Sequence, residues 1–180
     1  MGKHFAILQV AGYQNSGKTV LMEKLISRSA TEGLMPASIK HHGHGGRPEL
    51  TKDSHRHFSA GAAVSGAEGD GVLQLSIRLK DTSLGGLMAL YSHFPLDVLF
   101  IEGYKNEPFP KVLLLEKKED EALIHSLKGV ICVIGDPDLD ITTHLPVFRR
   151  DEEEQYLDFI MEEVRRQHEK LSADRKSNFS

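Results

Sequence analysis

The chain has 180 residues, 39% hydrophobic and 27% charged, the make-up of a globular protein large enough for one proper core. A formal net charge of −4 argues against a nucleic-acid footprint or attraction to an anionic membrane, and no apolar run nears the ~20 residues of a membrane span. The single cysteine, Cys132, lies inside the apolar run Val130-Ile131-Cys132-Val133-Ile134, so an intramolecular disulfide is impossible and core filling is its expected role.

In chain order, Met1-Gly2-Lys3-His4 leads without a cleavage-site pattern into an apolar run, Phe5 to Ala11, that reads as a buried strand; the cytoplasm is the expected location. A helix is expected over 18–32, with Leu21/Leu25 and Met22/Ile26 at i,i+4 spacing. Then come a strand at 36–41, a helix at 52–60, strands at 62–66 and 72–79, and a helix at 83–93. Strands at 97–101, 111–116 and 129–134 follow, with a short helix near 119–126. The last helix, 151–171, carries Leu157, Ile160, Met161 and Val164 as one stripe, with Asp151 to Glu154 at its start and Arg165, Arg166 and Lys170 near its end.

Such alternation means βαβ units and a mostly parallel sheet covered by helices. The run Asp97-Val98-Leu99-Phe100-Ile101 is apolar on both faces, as a central parallel strand should be. In 72–79 apolar residues mostly alternate with polar ones after the turn Glu68-Gly69-Asp70-Gly71, so 62–79 reads as a hairpin-like antiparallel extension whose edge could serve dimerisation. One domain is expected over 1–171, with 172–180 as a polar tail that frays.

The most specific signal is Gly12-Tyr13-Gln14-Asn15-Ser16-Gly17-Lys18-Thr19, a complete G-x-x-x-x-G-K-T Walker A loop between a strand and a helix. Its glycines let Gln14, Asn15, Ser16 and Gly17 curl their N–H groups around a phosphate, and the helix N-terminus at Lys18, Thr19 and Val20 adds partial positive charge. Lys18 can reach the outer phosphates, and the Thr19 hydroxyl can ligate Mg2+.

Ligands of open parallel sheets bind beyond the carboxyl ends of the strands, which directs attention to three more segments. Glu102 directly follows a hydrophobic strand, where a carboxylate can hold Mg2+ or its water, as a Walker B acid does; a surface acid before a glycine turn is the plainer reading. The loop Lys40-His41-His42-Gly43-His44-Gly45-Gly46-Arg47 could contact phosphate through His41 and its neighbours, could ligate a transition metal with His55 and His57, or could be merely solvated. Asp136, after the strand ending at Ile134, could accept the N1–H and N2–H2 edge of guanine or could belong to an acidic turn. The Asn-Lys-x-Asp guanine motif is absent. Lys105 adds a cation beside Glu102.

These stretches, with Lys52-Asp53-Ser54-His55-Arg56 and Glu102-Gly103-Tyr104-Lys105, resemble the molybdopterin-guanine dinucleotide biosynthesis protein B group, the MobB-type GTP-binding adapters, over roughly residues 5–165. Where that family carries an Asp-rich stretch, this chain has Gly45-Gly46-Arg47-Pro48-Glu49-Leu50 with one acid. The resemblance implies a three-layer α/β P-loop NTPase fold, a homodimer, GTP with Mg2+, and slow hydrolysis at most; on the motifs themselves Lys18 and Glu102 are the candidate catalytic residues. It also implies a partner nucleotidyltransferase that joins GMP to molybdopterin. The competing function is a stand-alone P-loop kinase of a small molecule. No Arg-x-x-x-Arg lid is visible for it, and Arg149-Arg150 is the only such dipeptide outside the last helix.

Overall fold

The computed structural model describes residues 5–41 and 52–177. Two compact units emerge from its contacts, residues 1–43 with 91–180 and residues 44–90.

The larger unit is built on a six-stranded sheet in the order β2-β5-β1-β6-β7-β8. Its strands are β1 (Ala6–Gly12), β2 (Pro36–Lys40), β5 (Val98–Glu102), β6 (Lys111–Leu114), β7 (Val130–Gly135) and β8 (Val147–Arg149). Every neighbouring pair runs parallel. β1 lies near the centre and is apolar on both faces because both are covered. Ala6, Leu8 and Val10 face helix α1 (Lys18–Thr31) and helix α5 (Glu153–Ser177), meeting Leu21, Leu25, Leu157 and Ile160. On the other face Ala11, Leu113 and Val133 pack with Leu123 and Ile124 of α4 (Ala122–Ser126), which follows a 3-10 turn at Lys118–Glu121. The result is the expected α/β architecture of helices, parallel sheet and helices.

Cys132 is buried in the sheet, and burial pushes its thiol up to about 12, so it is a neutral core side chain. Ile7 N–H donates to the Gln167 side chain (3.0 Å), tying α5 to β1. α5 runs to Ser177, six residues beyond the expected end at 171 and into the segment expected to fray. No glycine or proline lies between Glu153 and Ser177, so nothing in the backbone stops propagation. β8 was not expected. It has three residues after Pro146, too few for a period to show, and it forms by adding to β7 in the register Val133↔Val147.

The smaller unit holds α2 (Lys52–Ser59), the antiparallel pair β3 (Val64–Gly69) and β4 (Val72–Ile77), and all of α3 (Leu84–Tyr91) except Tyr91. Gly69 pairs with Val72 across Asp70-Gly71, both at positive φ (51° and 77°), the two-residue turn whose twist suits a hairpin. Val64, Val72, Leu73 and Leu75 are all exposed, Val72 by 68%. Arg78 lies over the Phe58 ring at 4.3 Å and donates to the carbonyls of Phe58 and Ala62.

Lys111, at the start of β6, is fully buried. Its ammonium donates to the carbonyls of Glu107 (2.5 Å), Phe109 (3.1 Å) and Lys128 (2.6 Å), closing the loop before the strand onto the turn before β7. Burial lowers its pKa, with Glu107 opposing. Lys111→Met keeps the stem and strands three carbonyls, so it should cost about 2–4 kcal/mol of unfolding free energy. Urea denaturation of parent and variant measures this.

Candidate functional site

Because the strands are parallel, their carboxyl ends share one edge of the sheet, and the residues expected to carry chemistry sit there. The register places Val10 beside Glu102 and Glu102 beside Lys40, so the ends of β1, β5 and β2 are level. After β1 the chain turns through Gly12 (φ 152°), Asn15 (φ 65°) and Gly17 (φ 88°) before entering α1. A Cβ at Gly12 would lie 2.6 Å from Ser16 Oγ and 2.7 Å from the Leu114 carbonyl, so the loop folds only with glycine there. No side chain caps α1 at its Gly17 N-cap, which leaves the first amides of the helix to an anion. Gln14 and Asn15 are exposed, Ser16 is buried, and Val20 is exposed on the first turn of the helix.

Lys18 folds back so that its ammonium donates to the Tyr13 carbonyl. Its pKa is lowered, chiefly by burial; Glu102 opposes the shift and Lys40 adds to it. Thr19 Oγ1 lies 3.2 and 3.4 Å from the two oxygens of Glu102, which is buried at 8% exposure. A hydroxyl and a carboxylate are hard oxygen donors, and their convergence at the end of the phosphate loop fits Mg2+. Lys40 completes the cluster, its ammonium 3.0 Å from Thr19 Oγ1 and 3.2 Å from Glu102 Oε1.

The loop after β5 is braced from beneath. Gln9, a lone amide in an apolar strand, donates to the carbonyls of Gly103 (3.2 Å) and Tyr104 (2.9 Å). Gly103 (φ 97°) lets His41 pass: a Cβ there would lie 2.9 Å from that of His41. The His41 N–H donates to the Glu102 carbonyl (2.9 Å), and the His41 ring stacks on Tyr104 at 4.2 Å. Lys105 extends over the Tyr13 ring at 5.7 Å, which places its charge beside the phosphate loop.

Asp136 follows β7 as expected, and it forms an ion pair with Arg150 Nε at 2.5 Å. Arg150 also donates to the carbonyls of Ser16 and Leu115, both at 3.1 Å. One guanidinium thereby joins the phosphate loop, the end of β6 and the end of β7. The sequence gives Arg150 and Gln9 no site role, and it places Lys40 only within the cationic loop expected to contact phosphate, not beside Glu102. Arg150 hides behind a strand too short to read, whereas Gln9 was visible as the one polar residue inside β1. His42, His44, Arg47 and the rest of the stretch 42–51 lie outside the described residues, as does the His55 side chain. Among the described residues no cluster of three metal-binding side chains occurs.

Strand order, phosphate loop and strand-end carboxylate together define a protein of the P-loop NTPase fold, a fold that implies nucleotide binding. The family model for molybdopterin guanine dinucleotide synthesis protein B matches residues 7–136, and the chain belongs to that family. It is 40% identical to the probable molybdopterin-guanine dinucleotide biosynthesis adapter protein of Bacillus subtilis, across 89% of this chain and 94% of that one. The crystal structure of Bacillus subtilis MobB superposes with a TM-score of 0.77 at 39% identity, covering 89% of this chain and 98% of the other. The MobB homologue of Bacillus stearothermophilus gives 0.72 at 36% identity, over 88% and 97%.

Removing the Arg150 guanidinium frees the Ser16 carbonyl and unpairs Asp136. Arg150→Ala is expected to weaken nucleotide binding by about tenfold or more, and Arg150→Lys to recover only part, since one ammonium lacks the planar fork that spans all three groups. Titration with a fluorescent nucleotide reads both.

Proposed function

We propose that this protein binds GTP with Mg2+ and serves as an accessory protein in molybdenum cofactor maturation, assisting the nucleotidyltransferase that makes molybdopterin guanine dinucleotide. The observation that carries the reading is the convergence of Thr19 and Glu102 beside a phosphate loop with uncapped helix amides. Lys18 takes the outer phosphates, Thr19 and Glu102 hold Mg2+, His41 and Lys105 flank the phosphates, and Asp136 accepts the guanine edge while paired with Arg150. Family membership and the adapter role named for the Bacillus subtilis relative support the assignment. No helix among the described residues is long and apolar enough to cross a membrane.

Hydrolysis by the protein alone is slow in this reading. A transition-state arginine is worth about 10^3–10^5 in rate. Arg150 is committed to two carbonyls and Asp136, and Arg149 is committed to Asp151. Binding of GTP, ATP and GDP with and without Mg2+ tests the proposal directly. GTP should bind best and need Mg2+, Lys18→Ala should abolish tight binding with an unchanged melting curve, and turnover should fall well below the ~10 per second of a median enzyme. Equal affinity of the Lys18 variant would sink the site, and fast phosphoryl transfer to a small acceptor would favour a kinase.

The hairpin supports a homodimer. Val64, Val72, Leu73 and Leu75 leave an apolar surface on a two-stranded piece that is marginal by itself, and a second copy could cover it by two-fold pairing. Light scattering at micromolar concentration should give twice the chain mass, and Leu73→Lys should lower it towards the monomer. A monomeric parent would refute the dimer.

A further inference from the structure

Lys40 is the one member of the strand-end cluster for which neither the phosphate loop nor the metal pair supplies a task. β2 and β5 run in register with Lys40 beside Glu102, so both side chains leave the sheet on the same face, the face that receives Thr19. The ammonium touches both groups assigned to Mg2+, Thr19 Oγ1 at 3.0 Å and Glu102 Oε1 at 3.2 Å. The Glu102 carboxylate is buried, and a buried carboxylate needs a counter-charge. Lys18, the other ammonium near it, is turned to the Tyr13 carbonyl.

We propose that Lys40 is a built-in stand-in for the metal: its ammonium holds Thr19 and Glu102 together in the nucleotide-free protein, and it transfers to the terminal phosphate when magnesium nucleotide binds. The inference rests on the nucleotide and metal reading above.

The geometry allows the move. The Lys40 backbone is fixed by the β2–β5 ladder and by the His41 N–H to Glu102 carbonyl bond, while its side chain is half exposed and can swing. An ammonium and a divalent cation cannot share these two oxygen groups, because at contact distance their repulsion is only weakly screened. A triphosphate carries a third phosphate that a diphosphate lacks, a new anion for the displaced ammonium. Lys40 would then sense the third phosphate and supply a cation where Arg150 cannot.

The test is Mn2+ binding, read from the electron paramagnetic resonance of the free ion, on parent, Lys40→Met and Lys40→Arg without nucleotide. Lys40→Met should bind Mn2+ about tenfold more tightly than the parent. Lys40→Arg should bind it no more tightly than the parent. Damage to the fold would weaken binding, so the expected sign is opposite to that of a merely structural role, and thermal melts confirm folding. With Mn2+ present, Lys40→Met should also lose the parent's preference for a non-hydrolysable GTP analogue over GDP. Unchanged or weaker Mn2+ binding in Lys40→Met, or an intact triphosphate preference, overturns the inference. If Thr19→Ala and Glu102→Gln reduce Mn2+–nucleotide binding in the same series, the metal reading survives that failure. If neither variant affects it, the metal reading falls and the role of Lys40 falls with it.

Discussion

Parallel pairing around β1 is the constraint from which the rest of the molecule follows. Antiparallel neighbours would send successive strand ends to opposite edges and disperse the polar groups. Parallel β5 and β6 on either side of β1 bring Gly12, Glu102 and Leu115 to one edge, and β2 beyond β5 brings Lys40. Parallel strands need long crossovers, and those crossovers are the helices that cover the faces. Full covering is what permits a strand such as Val98-Leu99-Phe100-Ile101 to be apolar on both sides.

An edge made this way is dry beneath and charged above, and most of its buried polar groups act on backbone carbonyls. Lys111 and Arg150 each join two loops by donating to their carbonyls, and Gln9 ties β1 to the loop after β5 in the same way. Each such donor is costly to bury unless its partners are in place, so each specifies one arrangement of the loops it joins. The phosphate loop inherits its shape from Gly12 and Gly17 at one level and from Arg150 at the next. A loop preshaped in this way loses less conformational entropy on meeting an anion.

Legibility followed from how local each signal was. The Walker A loop, β1, β5 and the start of α5 could be read because an apolar period or a fixed spacing lies within a dozen residues. Glu102 could be placed because a hydrophobic run ends on it. β8 could not, since Val147-Phe148-Arg149 is a strand only by virtue of β7 beside it. Arg150 was invisible for the same reason: its partners Ser16, Leu115 and Asp136 are separated from it by 134, 35 and 14 residues, and only the tertiary fold makes them neighbours. Lys40 stood in view as part of a basic loop, but its pairing with Glu102 requires the β2–β5 register, which no single segment encodes. The end of α5 was misplaced because polar composition says little about a helix end without a breaker.

The division of charge at the site carries a final consequence. Two ammonium groups, Lys18 and Lys40, approach one buried carboxylate, and each touches protein oxygen, Lys18 the Tyr13 carbonyl and Lys40 both Thr19 Oγ1 and Glu102. The arginine nearest the loop is likewise spent on carbonyls. Lys18, Lys40 and Arg150, each partnered by protein oxygen, do not drive the loop open by mutual repulsion, so it keeps its form at little cost in stability. Lys40 can swing towards a phosphate as proposed, but an ammonium is a point charge without the planar fork of a transition-state arginine. The slow hydrolysis proposed above and the fixed shape of the loop would then share one origin, the commitment of Arg150 to the Ser16 and Leu115 carbonyls.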